Sequence, residues 1–216
     1  MVKRYKLIKI DKISYSDALA LQNILRNKVL NDDSEQYILA LEHNNVITSG
    51  KRGFKDNLKY NYDFYYKRNI ELIKTDRGGL TTFHGEGQLV FYFILNLNDL
   101  KTGIKKFVNV LETTVINILK NYDIKARKIE NMRGVFVGDD KIAAIGLSVK
   151  HNVTMHGLAL NITTDLKNFD LFVPCGLKDK GVTSIFKEKN IKVNNNEIIN
   201  FFMEEFSKNI GVYIER

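Results

Sequence analysis

One cysteine and one proline stand in the 216 residues, and they are neighbours, Pro174 and Cys175. A single thiol excludes an internal disulfide. No apolar run approaches the roughly 20 residues that a membrane-crossing helix needs. The first ten residues alternate lysine with apolar side chains where a secretory leader would be continuously apolar. A cytoplasmic setting is therefore expected. The four histidines show no HxH or HExxH spacing and there is no CxxC, so no metal site is expected. The phosphate-binding pattern G-x-x-x-x-G-K-[ST] is missing, and Gly85-Glu86-Gly87 leads into a strand where a dinucleotide loop would open a helix. Nucleotide chemistry has no support from these residues. Basic residues exceed acidic ones by a net +8, but no five of them are consecutive. Such a diffuse positive field suits an acidic protein partner at least as well as nucleic acid.

What is present is a chain of ordinary soluble composition, 44% hydrophobic and 27% charged, long enough for one sizeable core. Residues 1–216 are read as one domain. An alternating strand over 2–10 precedes a helix capped by Ser14, with apolar positions Ala18, Leu21, Leu25 and Val29. Strands follow at 36–42 and 70–73, with a short helix capped by Asn61 between them and a turn at 48–53 that is a second candidate ligand edge or simply a solvated loop. The run Leu89 to Leu95 reads as a strand buried on both faces. A long helix is expected from Thr102 to about Asn121, then strands at 134–137, 141–149 and 154–162 arranged as two hairpins. The stretch 165–193 reads as irregular, and a last helix runs from Asn194 to Ile210 and stops at Gly211. The mixture predicts an α/β fold with a mixed, largely antiparallel sheet flanked by helices.

The stretch Arg77 to Gln88 concentrates polar heads among four glycines, immediately before the most apolar strand. Glycine permits positive φ and lets a ligand lie against bare backbone, so this is a binding loop. Cys175 sits between Pro174 and Gly176, a frame that a merely packing cysteine does not need, although an isolated thiol is more often a small hydrophobe. An unperturbed thiol is only about 3% ionised at neutral pH, so a nucleophile here requires a nearby cation or base. Lys141 opens a strand of small and apolar residues and is the candidate. A charge at about 4 Å in an effective dielectric of about 20 contributes about 4 kcal/mol, more than the roughly 2.7 kcal/mol that two pKa units require. His84 and His156 read equally as structural or functional.

Taken together, RGGLTTFHGEGQ (77–88), KIAAIGLSV (141–149), HGLALN (156–161) and PCG (174–176) followed by GVTSI (181–185) resemble the lipoyl(octanoyl) transferases in order and separation, over about residues 36 to 186. One departure is Glu86, where the family motif carries proline. The resemblance implies the catalytic-domain fold shared by biotin and lipoate ligases, and transfer of octanoyl from acyl carrier protein to a lysine of a lipoyl domain. On that resemblance Cys175 forms the acyl-thioester, and Lys141 lowers its pKa. The acyl-binding segments become Arg77, Gly78, Gly79, Leu80, Thr81, Thr82, Phe83 and His84; Ala144, Ile145 and Gly146; and Gly157, Leu158 and Ala159. No cofactor is implied. The expected partners are octanoyl-acyl carrier protein as donor, and lipoyl domains of 2-oxoacid dehydrogenases and the glycine cleavage H protein as acceptors, with no nucleic acid, no membrane and a monomeric enzyme. An ATP-dependent lipoate ligase of the same fold is the alternative, and a non-catalytic module that docks carrier domains is a second.

Overall fold

A computed structural model describes residues 3–31, 34–50, 54, 57–173 and 181–215. In chain order these form β1 (Arg4–Ile13), α1 (Tyr15–Leu30), β2 (Glu35–His43), β3 (Val46–Ser49), α2 (Tyr62–Tyr66), β4 (Glu71–Lys74), β5 (Thr82–His84), β6 (Gln88–Ile94), α3 (Ile104–Lys120), β7 (Ala126–Ile129), β8 (Met132–Val137), β9 (Asp140–Lys150), β10 (Val153–Asn161), a 3-10 turn Leu166–Leu171, α4 (Ile185–Lys189), α5 (Asn195–Ile210) and β11 (Ile214–Glu215). They build an eight-stranded sheet ordered β11-β1-β2-β6-β10-β9-β8-β7 and a three-stranded sheet ordered β4-β3-β5. In the large sheet β1 runs parallel to β2 and β11, and every other pair is antiparallel. The mixed, largely antiparallel α/β architecture expected from the sequence is the one observed.

Caps fall where the sequence places them. Ser14 accepts from the Asp17 backbone N–H, Asn61 from Phe64 and Asn194 from Asn196, and Gly211 ends α5 at φ 78°. Four short strands escaped the sequence reading. The supposed turn at 48–53 begins inside β3, so Thr48 and Ser49 are strand residues, while Lys51, Arg52 and Gly53 lie outside the described residues. Thr82 to His84, read as loop, pairs with β3 as β5. β7 adds a third hairpin, and β11 pairs with β1. The stretch called irregular contains the 3-10 turn and α4.

Every residue of β6 is buried, as a central strand covered on both faces requires. Its alternation sorts the core. Leu89, Phe91 and Phe93 face α3 and α5, packing on Phe107, Phe202 and Phe206. Val90, Tyr92 and Ile94 face the other way, toward Tyr15, Ala18, Leu25 and Val29 of α1. A third cluster, Ile47, Tyr65, Ile70, Phe83 and Phe172, joins the small sheet to α2 and the 3-10 turn.

Candidate active site

The groove begins with residue size on one sheet face. Register pairs Gln88 with Asn161, Val90 with Ala159, and Tyr92 with Gly157. On the far side of β10, Ala159 pairs with Ala144 and Gly157 with Gly146. The α3/α5 side of these strands carries Leu158, Leu160, Ile145 and Leu147, which fill it. The opposite side carries Ala and Gly at four adjacent positions, and a sheet face without side chains leaves space. A cavity of about 530 Å³ occupies that space. It is bounded also by Tyr15, Arg77, Gly79, Leu80, Thr81, Thr82, His84, Lys141, His156 and Phe172.

The loop preceding β5 roofs this groove. The Gly78 N–H donates to Leu147 O at 2.9 Å, and its carbonyl lies so close to Gly146 that a Cβ there would come within 2.8 Å of it. Arg77 is buried, with Nη2 donating to Thr48 O and Oγ1 (both 2.8 Å) and Nη1 to Gly78 O (3.1 Å). Burial pushes its pKa down, and among the described residues it has no carboxylate partner. Of the expected binding residues, Gly78 acts through its backbone against β9, and Phe83 turns into the third core cluster at 1% exposure. Both support the loop from behind. The other twelve line the cavity.

Beneath the loop runs a directional hydrogen-bond relay. His84 Nδ1–H donates to Gln88 Oε1 (2.7 Å), Gln88 Nε2 to Asn161 Oδ1 (2.8 Å), and Asn161 Nδ2 to Thr183 O (3.0 Å). Thr183 N–H donates in turn to Lys141 O, and Lys141 N–H to Gly181 O (both 3.0 Å). Lys141 is thus fixed at the start of β9, between Phe136 of β8 and Val182, and lines the cavity. Its Nζ lies 5.2 Å from the centroid of the Phe136 ring, and burial lowers its pKa. Among the described residues no ion pair or hydrogen bond holds the ammonium group. Cys175 lies outside the described residues. The chain reaches that segment through Val173, whose N–H donates to Asn57 O (2.8 Å), and leaves it at Gly181, whose N–H donates to Asp140 (3.1 Å). Phe172 and Gly181 both line the cavity.

A further histidine, His43, is fully buried. His43 donates through Nδ1 to Ile13 O (2.9 Å) and accepts the Tyr92 hydroxyl at Nε2 (2.7 Å). Desolvation lowers His43 to about 4, and His84 to about 3, where His43 and Arg77 add repulsion. Tyr15 is raised to about 12, mainly by burial. The glutamate that departs from the expected motif is 82% exposed and pairs with Lys12 at 3.2 Å. The turn it occupies is fixed elsewhere, because Gly87 O accepts from Ile162 and Thr163 and Gly87 N–H donates to Glu42. Tyr15, Asp76 and Tyr92 are site residues that the sequence reading did not single out, whereas Thr48 belongs to the second candidate ligand edge and Asn161 to the HGLALN motif. Among the described residues no group of three His, Cys, Asp or Glu is placed to hold a metal.

The model of the lipoyl protein ligase A/B catalytic domain matches residues 14–207. The chain belongs to that family. Among its relatives, an octanoyltransferase of Alkaliphilus metalliredigens is 39% identical over 97% of this chain and 98% of its own length. One from Dictyoglomus thermophilum is 44% identical over 86% of this chain and 79% of its own. Solved structures share the fold at low identity. A bipartite lipoate protein ligase of Thermoplasma acidophilum, described with its lipoyl domain, superposes with a TM-score of 0.75 at 17% identity, over 100% of this chain and 86% of that one. The biotin protein ligase of Aquifex aeolicus in complex with biotin and ATP reaches 0.60 at 15%, over 95% and 70%. The ligase-like catalytic fold expected from the motifs is therefore the family's fold. No helix among the described residues is long and apolar enough to cross a membrane.

Proposed function

We infer that the protein is an octanoyltransferase of protein lipoylation, moving an octanoyl group from a carrier thioester to a lysine of a lipoyl domain through an acyl-enzyme on Cys175. The observation that carries this reading is the groove floored by Ala144, Gly146, Gly157 and Ala159, which opens beside Lys141. Burying seven aliphatic carbons there contributes about 5 kcal/mol, at about 0.8 per methylene. A lysine with no carboxylate partner among the described residues, desolvated beside an apolar groove, is suited to stabilise a thiolate and to exchange a proton with it.

In this reading the Cys175 thiolate attacks the donor carbonyl, forming a carbon–sulfur bond, and the tetrahedral intermediate expels the carrier thiolate. Lys141 supplies the proton that the leaving sulfur takes. In the second half, the acceptor lysine attacks as a neutral amine, gives its proton to Lys141, which is thereby restored, and expels Cys175 as thiolate as the amide forms. Exchange between thioesters is nearly balanced and amide formation is downhill, so no ATP enters. The +8 net charge suits an acidic donor and acceptor such as acyl carrier protein and lipoyl domains, and a cytoplasmic setting follows from those partners.

The test is the intact mass of the enzyme after brief incubation with octanoyl-acyl carrier protein and no ATP. Wild type gains one octanoyl group, Cys175→Ser gains none, and Lys141→Ala loads slowly. No adduct on any of them, together with ATP-dependent modification of a lipoyl domain, moves the protein to the ligase reading.

A further inference from the structure

We infer that His156, held by Asp76, forms the end wall of the acyl groove and sets the longest chain the enzyme loads; this rests on the acyl-transfer reading above. His156 lies in the middle of β10 yet adopts φ 60°, a conformation disfavoured for any residue bearing a Cβ. Two side chains hold it there. Its backbone N–H donates to Gln22 Oε1 at 2.8 Å, and its ring Nε2 meets Asp76 Oδ1 at 2.7 Å. A carboxylate accepts only, so the ring Nε2–H donates to it and Nδ1 is left facing away from Asp76. That Nδ1 is buried without a hydrogen-bond partner among the described residues, and the ring, only 1% exposed, lines the cavity.

Thr81 lines the same cavity, its Oγ1 buried without a partner among the described residues. The buried Arg77 side chain lies over Gly146, one register step from the Leu147–His156 pair. Strand register gives the length. From the Ala144–Ala159 pair to the Leu147–His156 pair is three residue steps, about 10 Å along the sheet. The carbonyl-to-methyl distance of an extended octanoyl chain is about 9 Å, from seven bonds of about 1.5 Å in zigzag. With the thioester carbonyl at the Ala144–Ala159 pair, a methyl group at that depth reaches the imidazole. Two more methylenes would press alkyl surface onto the imidazole and its Nδ1, which alkyl carbon cannot satisfy.

The experiment is a competition. Octanoyl-, decanoyl- and dodecanoyl-acyl carrier protein are mixed in equal amounts with enzyme, and the ratio of adduct masses is read, a ratio that does not depend on the active fraction. Wild type loads octanoyl in preference. His156→Gly, which suits positive φ and removes the ring, raises the decanoyl-to-octanoyl ratio by at least about tenfold. His156→Asn, shorter and tolerant of the same φ, moves it in the same direction. Asp76→Asn, at a half-exposed carboxylate, loosens the ring and gives a smaller rise. A ratio unchanged in whichever of these variants folds overturns the inference, as does an equal fall for all three chains. If wild type gains no acyl group from any donor, the acyl-transfer reading itself fails and the end-wall role fails with it.

Discussion

Acidification should destabilise this protein well above the pH at which carboxylates titrate, because two imidazoles are buried neutral. His43 and His84 have ring centroids 5.9 Å apart, and their folded pKa values are lowered to about 4 and about 3. An unfolded histidine titrates near 6.5. Between those limits the unfolded chain binds protons that the folded chain refuses, so stability falls as pH drops from about 6.5 toward the folded values. At pH 5 the unfolded state gains about 2 kcal/mol of protonation free energy at each site. Together the two histidines remove about 4 kcal/mol, against a typical total of about 5 to 15. Denaturant titrations at pH 7.5, 6.5, 5.5 and 5.0 measure this directly. His84→Gln removes one of the two sites and should roughly halve the loss. A wild-type stability that stays level from pH 7.5 to 5.0 would refute the placement of neutral imidazoles beneath the loop.

Lys141 should show the opposite bargain between stability and activity. Burial depresses its folded pKa, so the charged form weighs against folding below that value, and the penalty fades as pH rises toward the unfolded pKa near 10.4. Lys141→Met should therefore be more stable than wild type at neutral pH by about 0.5–2 kcal/mol in denaturant titration, while acyl loading slows at least about 100-fold. Gly146→Ala places a Cβ 2.8 Å from the Gly78 carbonyl, so the loop must lift and its bond to Leu147 is lost. A stability loss of about 1–2 kcal/mol with at least tenfold slower loading is expected; unimpaired loading would detach the loop from the reaction. Turnover with carrier-bound donor should fall several-fold between low and high ionic strength, and a flat profile would remove steering by the net positive charge.

Sequence patterns revealed what local chemistry determines. Ser14, Asn61 and Asn194 announce their helices because a cap needs only its own next three residues. The run from Leu89 to Leu95 announces a central strand because only burial on both faces tolerates seven apolar residues. Four-residue strands such as β3 carry no such signature. Thr48, Ser49 and Gly50 have turn composition, and only pairing with β4 and β5 makes strand of the first two. The same limit governs the site. Lys141 and the glycine loop were visible, as were the small residues of β9 and β10. Gln22 is different. It interrupts the apolar face of α1, fully buried, and its purpose lies 134 residues away at the backbone of His156. Asp76 and Asn161 likewise act on elements distant in sequence. A buried polar residue on an otherwise apolar helix face was the available signal, and it identifies a constraint without naming its partner.

A groove cut into the best-packed part of the sheet implies that the fold carries less buried surface than it could hold. Ala159 is the clearest position. It belongs to the core cluster against α1, is 4% exposed, and pairs with Val90 on one side and Ala144 on the other at the middle of the cavity floor. Leucine there would project three more carbons into the empty space of about 530 Å³. At about 0.8 kcal/mol per methylene, that is up to about 2 kcal/mol of added burial, less the cost of fixing one rotamer. Ala159→Leu is thus expected to melt a few degrees higher than wild type and to lose octanoyl loading, because the acyl chain and the new side chain compete for the same volume. The two readouts separate the explanations. A variant that melts higher and still loads would mean the acyl chain lies elsewhere, and one that melts lower would mean the space above Ala159 is shaped by neighbours that cannot give way.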